Sequence, residues 1–66
     1  MTFKELLKEK DCTASRLSRA IGVAHQTVSL WKNGKSVPSI DNALKIAKVL
    51  NVPVDTVAEC FLRQGA

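Results

Sequence analysis

Few side chains in this sequence can do covalent or metal chemistry, and those few do not gather. His25 is the only histidine, the cysteines are Cys12 and Cys60 alone, and no paired-carboxylate site stands out. A zinc site needs about four soft ligands at close spacing, which one histidine and two distant cysteines do not supply. No glycine-rich loop is present to cradle a phosphate, and no Cys-His arrangement is backed by a pocket pattern. The expectation is therefore no enzyme, no metal, no cofactor and no small-molecule substrate. What the chain does concentrate is hydrogen-bonding and cationic side chains. His25, Gln26, Thr27, Ser29, Lys32, Asn33 and Lys35 fall within one short stretch, with Arg16 and Arg19 just upstream. That chemistry is recognition: an amide can engage two atoms at once, and a lysine or arginine can pair with an anion.

Positioning those groups falls to a small helical body. Sixty-six residues suffice for one domain with a modest core and a small stability margin. Hydrophobic residues make up 45% and charged residues 24%, which argues for a folded chain and against disorder. The formal charge of +4 leans toward a polyanionic partner. Two cysteines are too few for a disulfide framework, and the charged N-terminal run is no signal core. A reducing, bacterial-type cytoplasm is expected, with the protein on the nucleoid when bound and both cysteines acting as small buried hydrophobes. No run approaches the ~18 apolar residues of a membrane span.

The periodicity is helical throughout. Thr2 with Glu5 forms a capping box that starts a helix near Phe3, which carries Phe3, Leu6, Leu7 and Lys10 on one face and fades at Lys10-Asp11. Thr13 caps a second helix, Ala14 to Ile21, with Leu17, Ala20 and Ile21 inward, and Gly22 stops it. A third helix starts at about Ala24 or His25 and ends at Lys32, with Val28 and Trp31 inward and Asn33-Gly34 as terminator. Ser39 caps a fourth from Ile40, whose inner stripe is predicted to be Ile40, Ala43, Leu44, Ala47 and Leu50, and Asn51 ends it. A fifth, about Val54 to Leu62, is predicted to bury Val54, Val57, Ala58 and Phe61. The reading is an all-α, compact five-helix fold in a single domain, 1–66.

The segment TASRLSRAIGVAHQTVSLWKNG, Thr13 to Gly34, meets the demands of a helix-turn-helix, the motif running from about 13 to 33. Ser18 is small where the helices approach, Gly22 takes the turn, and Leu17, Ile21, Val23, Val28 and Trp31 wedge the pair at a fixed angle. With the downstream NGKSVPSIDNALKIAKVLNVPVDTV, the chain resembles the repressor and Cro-like helix-turn-helix proteins of bacteria and phages, the XRE type, over about Leu6 to Leu62. The resemblance implies a lambda-repressor-like fold and a transcriptional regulator that binds double-stranded operator DNA as a homodimer.

The family's roles carry over by position. The third helix would enter the major groove, with His25, Gln26, Ser29 and Leu30 toward base edges. Gln26 is the leading candidate because a glutamine can bond adenine N6 and N7 together. His25 could donate to a guanine or a phosphate, and Leu30 could meet a thymine methyl. Phosphate contacts are implied at Thr13, Ser15, Arg16, Thr27, Lys32, Asn33 and Lys35, with the open amides at the start of the second helix. The fifth helix, through Cys60, Phe61 and Leu62, is implied at the dimer contact.

The chain also departs from the family. Ala14 stands where glutamine is frequent, Ala24 where a capping serine or threonine is frequent. Leu7 and Lys32 replace an arginine–glutamate pair, so Lys32 is expected to face solvent or phosphate. The alternative function is an antitoxin-like protein-interaction module, whose distinguishing tail would have to come from Arg63 to Ala66.

Overall fold

A computed structural model describes residues 2–62. Within them five helices run in chain order: α1 (Phe3–Glu9), α2 (Ala14–Ile21), α3 (His25–Lys32), α4 (Ile40–Leu50) and α5 (Val54–Leu62). The fold is all-α, as the periodicity predicts.

Each start has a local cause. Thr2 and Glu5 close the capping box reciprocally: the Glu5 amide donates to Thr2 Oγ1 at 3.1 Å and the Thr2 amide to Glu5 Oε1 at 2.8 Å. The Thr2 amide bonded to the carboxylate, with the Thr2 side chain second, holds Glu5 below its ordinary pKa. Thr13 Oγ1 accepts from the Arg16 amide at 3.1 Å, and Ser39 Oγ from the Asn42 amide at 3.3 Å.

The stops share one device. After α1 to α4 a residue turns left-handed: Asp11 (φ 53°), Gly22 (φ 76°), Gly34 (φ 71°) and Asn51 (φ 56°). The amide of the next residue then donates to the carbonyl five residues back, in the pairs Cys12–Leu7, Val23–Ser18, Lys35–Leu30 and Val52–Ala47, at 2.9–3.0 Å. This is the Schellman bond, and it satisfies carbonyls that the ended helix leaves open. Cys12, Val23 and Val52 then fold back as partly buried side chains against the core. At the third turn, after α3, that position is Lys35, which stays exposed. At Gly22 a Cβ would meet nothing within 4 Å, so the requirement there is backbone conformation and not space.

One core joins all five helices. Its largest fully buried side chains include Trp31, Phe3, Leu6, Leu17, Ile46, Val28 and Val57. Phe3 is its hub: the ring meets Trp31 edge-on at 6.4 Å and Phe61 at 5.1 Å, tying α1 to both α3 and α5. The single buried polar side chain among the described residues, Ser18, donates its hydroxyl to the Ser15 carbonyl at 2.8 Å. It is buried on α2, a helix that packs against α3, where a small side chain is expected.

The inner faces need correction in three helices. On α2, Ala20 is exposed and Ala14 and Ser18 are buried beside Leu17 and Ile21. On α4, Ile40 (80% exposed) and Leu44 (46%) lie outside, and the buried stripe is Ile46, Ala47 and Leu50 with Ala43 at its edge. On α5, Val54 and Ala58 are exposed, and Val57, Cys60 and Phe61 are buried. Lys10, expected on the inner face of the first helix, is the exposed C-cap residue just after α1. In each case packing against neighbouring helices, not the apolar count along one helix, selects the face.

Candidate nucleic-acid interface

The α2–turn–α3 unit is fixed from inside. Leu17, Ile21, Val28 and Trp31 are buried, and the Schellman bond at Gly22 sets the angle between the two helices. That rigidity leaves the outer side of α3 free to present side chains.

His25, Gln26 and Leu30 are exposed on α3, and Thr27 and Ser29 are half-buried. No side-chain hydrogen bond among the described residues ties any of the five down. Leu30 is 42% exposed, an apolar group kept at the surface in the middle of an otherwise polar face. The first turn of α3 is open as well. Ala24 stands at the N-cap with extended backbone and makes no side-chain bond, so only its carbonyl is engaged, by the amides of Thr27 and Val28. Open amides at a helix start, with the positive end of its dipole, favour an acceptor or an anion. Restoring a cap tests this local picture. Ala24→Ser should stabilise the domain by about 1 kcal/mol, read as a rise in the thermal midpoint.

Flanking this face are the groups suited to anions. Thr13, Ser15, Arg16 and Arg19 line one shallow depression at the start of α2. Thr13, Ser15 and Arg16 are exposed. Asn33 and Lys35 are exposed at the far end of α3, and Lys32 is half-buried beside them. Lys35 is the cation whose backbone the Schellman bond to Leu30 pins while its side chain stays exposed. Ala14 is 7% exposed and packs in the core, so the frequent glutamine of the family has no counterpart on this surface.

The charge is unevenly placed. Residues 1–35 hold seven Lys and Arg against three Asp and Glu, whereas residues 36–66 hold three of each, so the first part carries the whole +4. From Thr13 to Ile40 there is no carboxylate at all. Arg16, Arg19, Lys32 and Lys35 all fall in that run, so the helix-turn-helix is the basic part of the chain, with Asp11, just before it, sharing a hollow with Arg16.

The cysteines contribute little chemistry. Burial pushes both thiols above their ordinary pKa, away from the thiolate that nucleophilic or metal chemistry needs. Cys60 donates to the Thr56 carbonyl at 3.3 Å inside the core.

The three α5 residues expected at a dimer contact separate. Cys60 and Phe61 are buried at 2% and 6% exposure within one protomer, and only Leu62, at 74%, is open. The exposed apolar surface lies instead across two helices. Val37, Pro38, Ile40, Leu62 and the edge of Phe61 line a hollow of about 390 Å³. Val37 and Ile40 were missed because each reads as a loop or inner-face residue until the register of α4 is known. Residues 63–66, where an antitoxin-like tail would lie, are outside the described residues.

The helix-turn-helix family model matches residues 3–57. A curated protein of Archaeoglobus fulgidus, named an uncharacterized HTH-type transcriptional regulator, is 31% identical over 55 residues, covering 83% of this chain and 78% of its own length. No solved structure matches.

Proposed function

The chain belongs to the helix-turn-helix family, in its XRE branch, and from that premise we propose that it is a sequence-specific transcriptional regulator of the phage or prophage Cro- and repressor-like kind, binding a pseudo-palindromic operator as a dimer. One observation carries the reading: the exposed, unbonded face of α3, His25, Gln26 and Leu30, stands at an uncapped helix start within a sequence run that holds Arg16, Arg19, Lys32 and Lys35 and no carboxylate. In this reading the first turn of α3 enters the major groove. Gln26 pairs with an adenine edge through both amide atoms, His25 donates to a guanine or phosphate, and Leu30 packs on a thymine methyl. Ser29, half-buried, meets whatever base edge comes nearest. Thr13, Ser15, Arg16, Thr27, Lys32, Asn33 and Lys35 hold the strands and set the register without reading sequence.

The dimer reading rests on the apolar hollow. Ile40 at 80% and Leu62 at 74% exposure are costly to leave in water, and they lie together with Val37 and Pro38. Two copies pairing there would set their α3 helices one DNA turn apart, ~34 Å, which gives the operator its two-fold symmetry. The contact thus runs through Leu62 and the rim of Phe61, with Cys60 beneath it and not in it. The patch is small, so pairing off DNA is weak.

The test is a selected operator compared with a scrambled duplex. Gln26→Ala should reduce discrimination by about 1–3 kcal/mol while affinity for the scrambled duplex stays near wild type. Equal loss on both duplexes would assign Gln26 to the backbone, and no loss on either would remove α3 from the interface.

A further inference from the structure

Beyond the α3 face, one charged feature of the surface has no role in the reading so far. Lys4 and Lys8 lie one turn apart on α1 and share a face. With Lys32 from the end of α3 they ring a depression of about 300 Å³ that reaches Thr13 at the start of α2. A second depression, of about 460 Å³, shares Lys4 and Lys32 and continues along Thr2, Asn33 and Gly34. No carboxylate lines either one. Glu5, the neighbouring acid on α1, has an oxygen committed to the Thr2 amide in the capping box. Three lysines thus line connected hollows, and their like charges repel less when an anion sits among them.

We propose that Lys4, Lys8 and Lys32 form a grip for successive backbone phosphates of one DNA strand, extending the footprint past the α3 face onto α1. This rests on the DNA-binding reading above. Three features favour a strand over a lone anion. The two depressions are joined through shared lysines, they run from Thr13 to Asn33, which already border the proposed interface, and lysine is suited to phosphate as a flexible point charge. The grip also gives the phosphate role of half-buried Lys32 its neighbours: it supplies from α3 one of the cations that α1 completes.

The experiment is the salt dependence of binding to a mixed-sequence duplex, measured for wild type, Lys4→Gln with Lys8→Gln, and Lys45→Gln with Lys48→Gln. Both pairs remove the same charge from exposed helix positions, and glutamine keeps helix propensity. The α1 pair should lower the slope of log K against log salt by about 2 for each copy bound, and the α4 pair by much less. Equal reductions would reduce the effect to net charge and overturn the grip, as would an unchanged slope in the α1 pair beside a steep wild-type slope. A flat wild-type slope would instead sink the DNA reading itself. Inorganic phosphate should leave the amide shifts of α1 unmoved at millimolar levels. Saturation there would replace the strand with a small-anion site.

Discussion

Trp31→Ala is expected to leave the domain largely unfolded near physiological temperature. Trp31 is 2% exposed, and its ring is the edge-on partner of Phe3, which in turn meets Phe61. Truncating a buried tryptophan costs about 3–5 kcal/mol, through lost burial and the cavity left behind. A chain of this length has roughly 3–10 kcal/mol in total, so the substitution consumes from about three tenths of the margin to all of it. For a domain this small each kcal/mol moves the thermal midpoint by about 4–8 °C, so a fall of at least about 12 °C is expected by circular dichroism. Trp31→Phe, which keeps the edge contact and most of the volume, should lose much less. The contrary result is specific. If Trp31→Ala melted like wild type but lost duplex binding, the ring would be a platform for bases and not the pin that holds α3.

The second large effect is on binding. Arg16, Arg19, Lys32 and Lys35 belong to the carboxylate-free run from Thr13 to Ile40, four cations in each copy and eight in a pair. A protein neutralising 6–10 phosphates loses on the order of 10³ to 10⁵ in affinity between 50 and 200 mM salt, because each contact releases a condensed counterion. A dimer on its operator should fall in that range, with a slope of about −7 before Lys4 and Lys8 are counted. One copy acting alone should give about half of it, so the slope also reports how many copies sit on the duplex. A fluorescence titration at several salt concentrations is enough. A flat response would be incompatible with a phosphate-holding surface.

Helix starts and stops could be read directly from residue types, because caps and glycine turns are local chemistry. Thr2 with Glu5, Thr13, Ser39, Gly22, Gly34 and Asn51 all act as their types suggest. Asp11 did not announce its left-handed turn, since aspartate adopts that conformation only occasionally and its role depends on Cys12 folding back against the core. Inner faces were harder. Seven of the eleven residues of α4 are apolar, so two stripes one step apart share Ala43, Ala47 and Leu50. Only packing against α2 and α5 chooses Ile46 over Ile40 and Leu44. On α5 the same ambiguity hid Cys60 behind Val54 and Ala58. The α3 surface was legible because Val28 and Trp31, three residues apart, fix which side turns in. Lys4 and Lys8 were not, because two lysines on a first helix look like ordinary solvated charge until Lys32 is seen across from them.

The side chains on the outer face of α3 support nothing beneath them. His25, Gln26, Ser29 and Leu30 hold no hydrogen bond within the chain and none belongs to the buried core, while the turns on either side of the helix are closed by backbone bonds. Mutational drift at these four positions therefore carries little folding penalty. Descendants of this scaffold can be retargeted to new promoters one substitution at a time, and an engineer could graft a foreign preference onto it by exchanging those side chains alone.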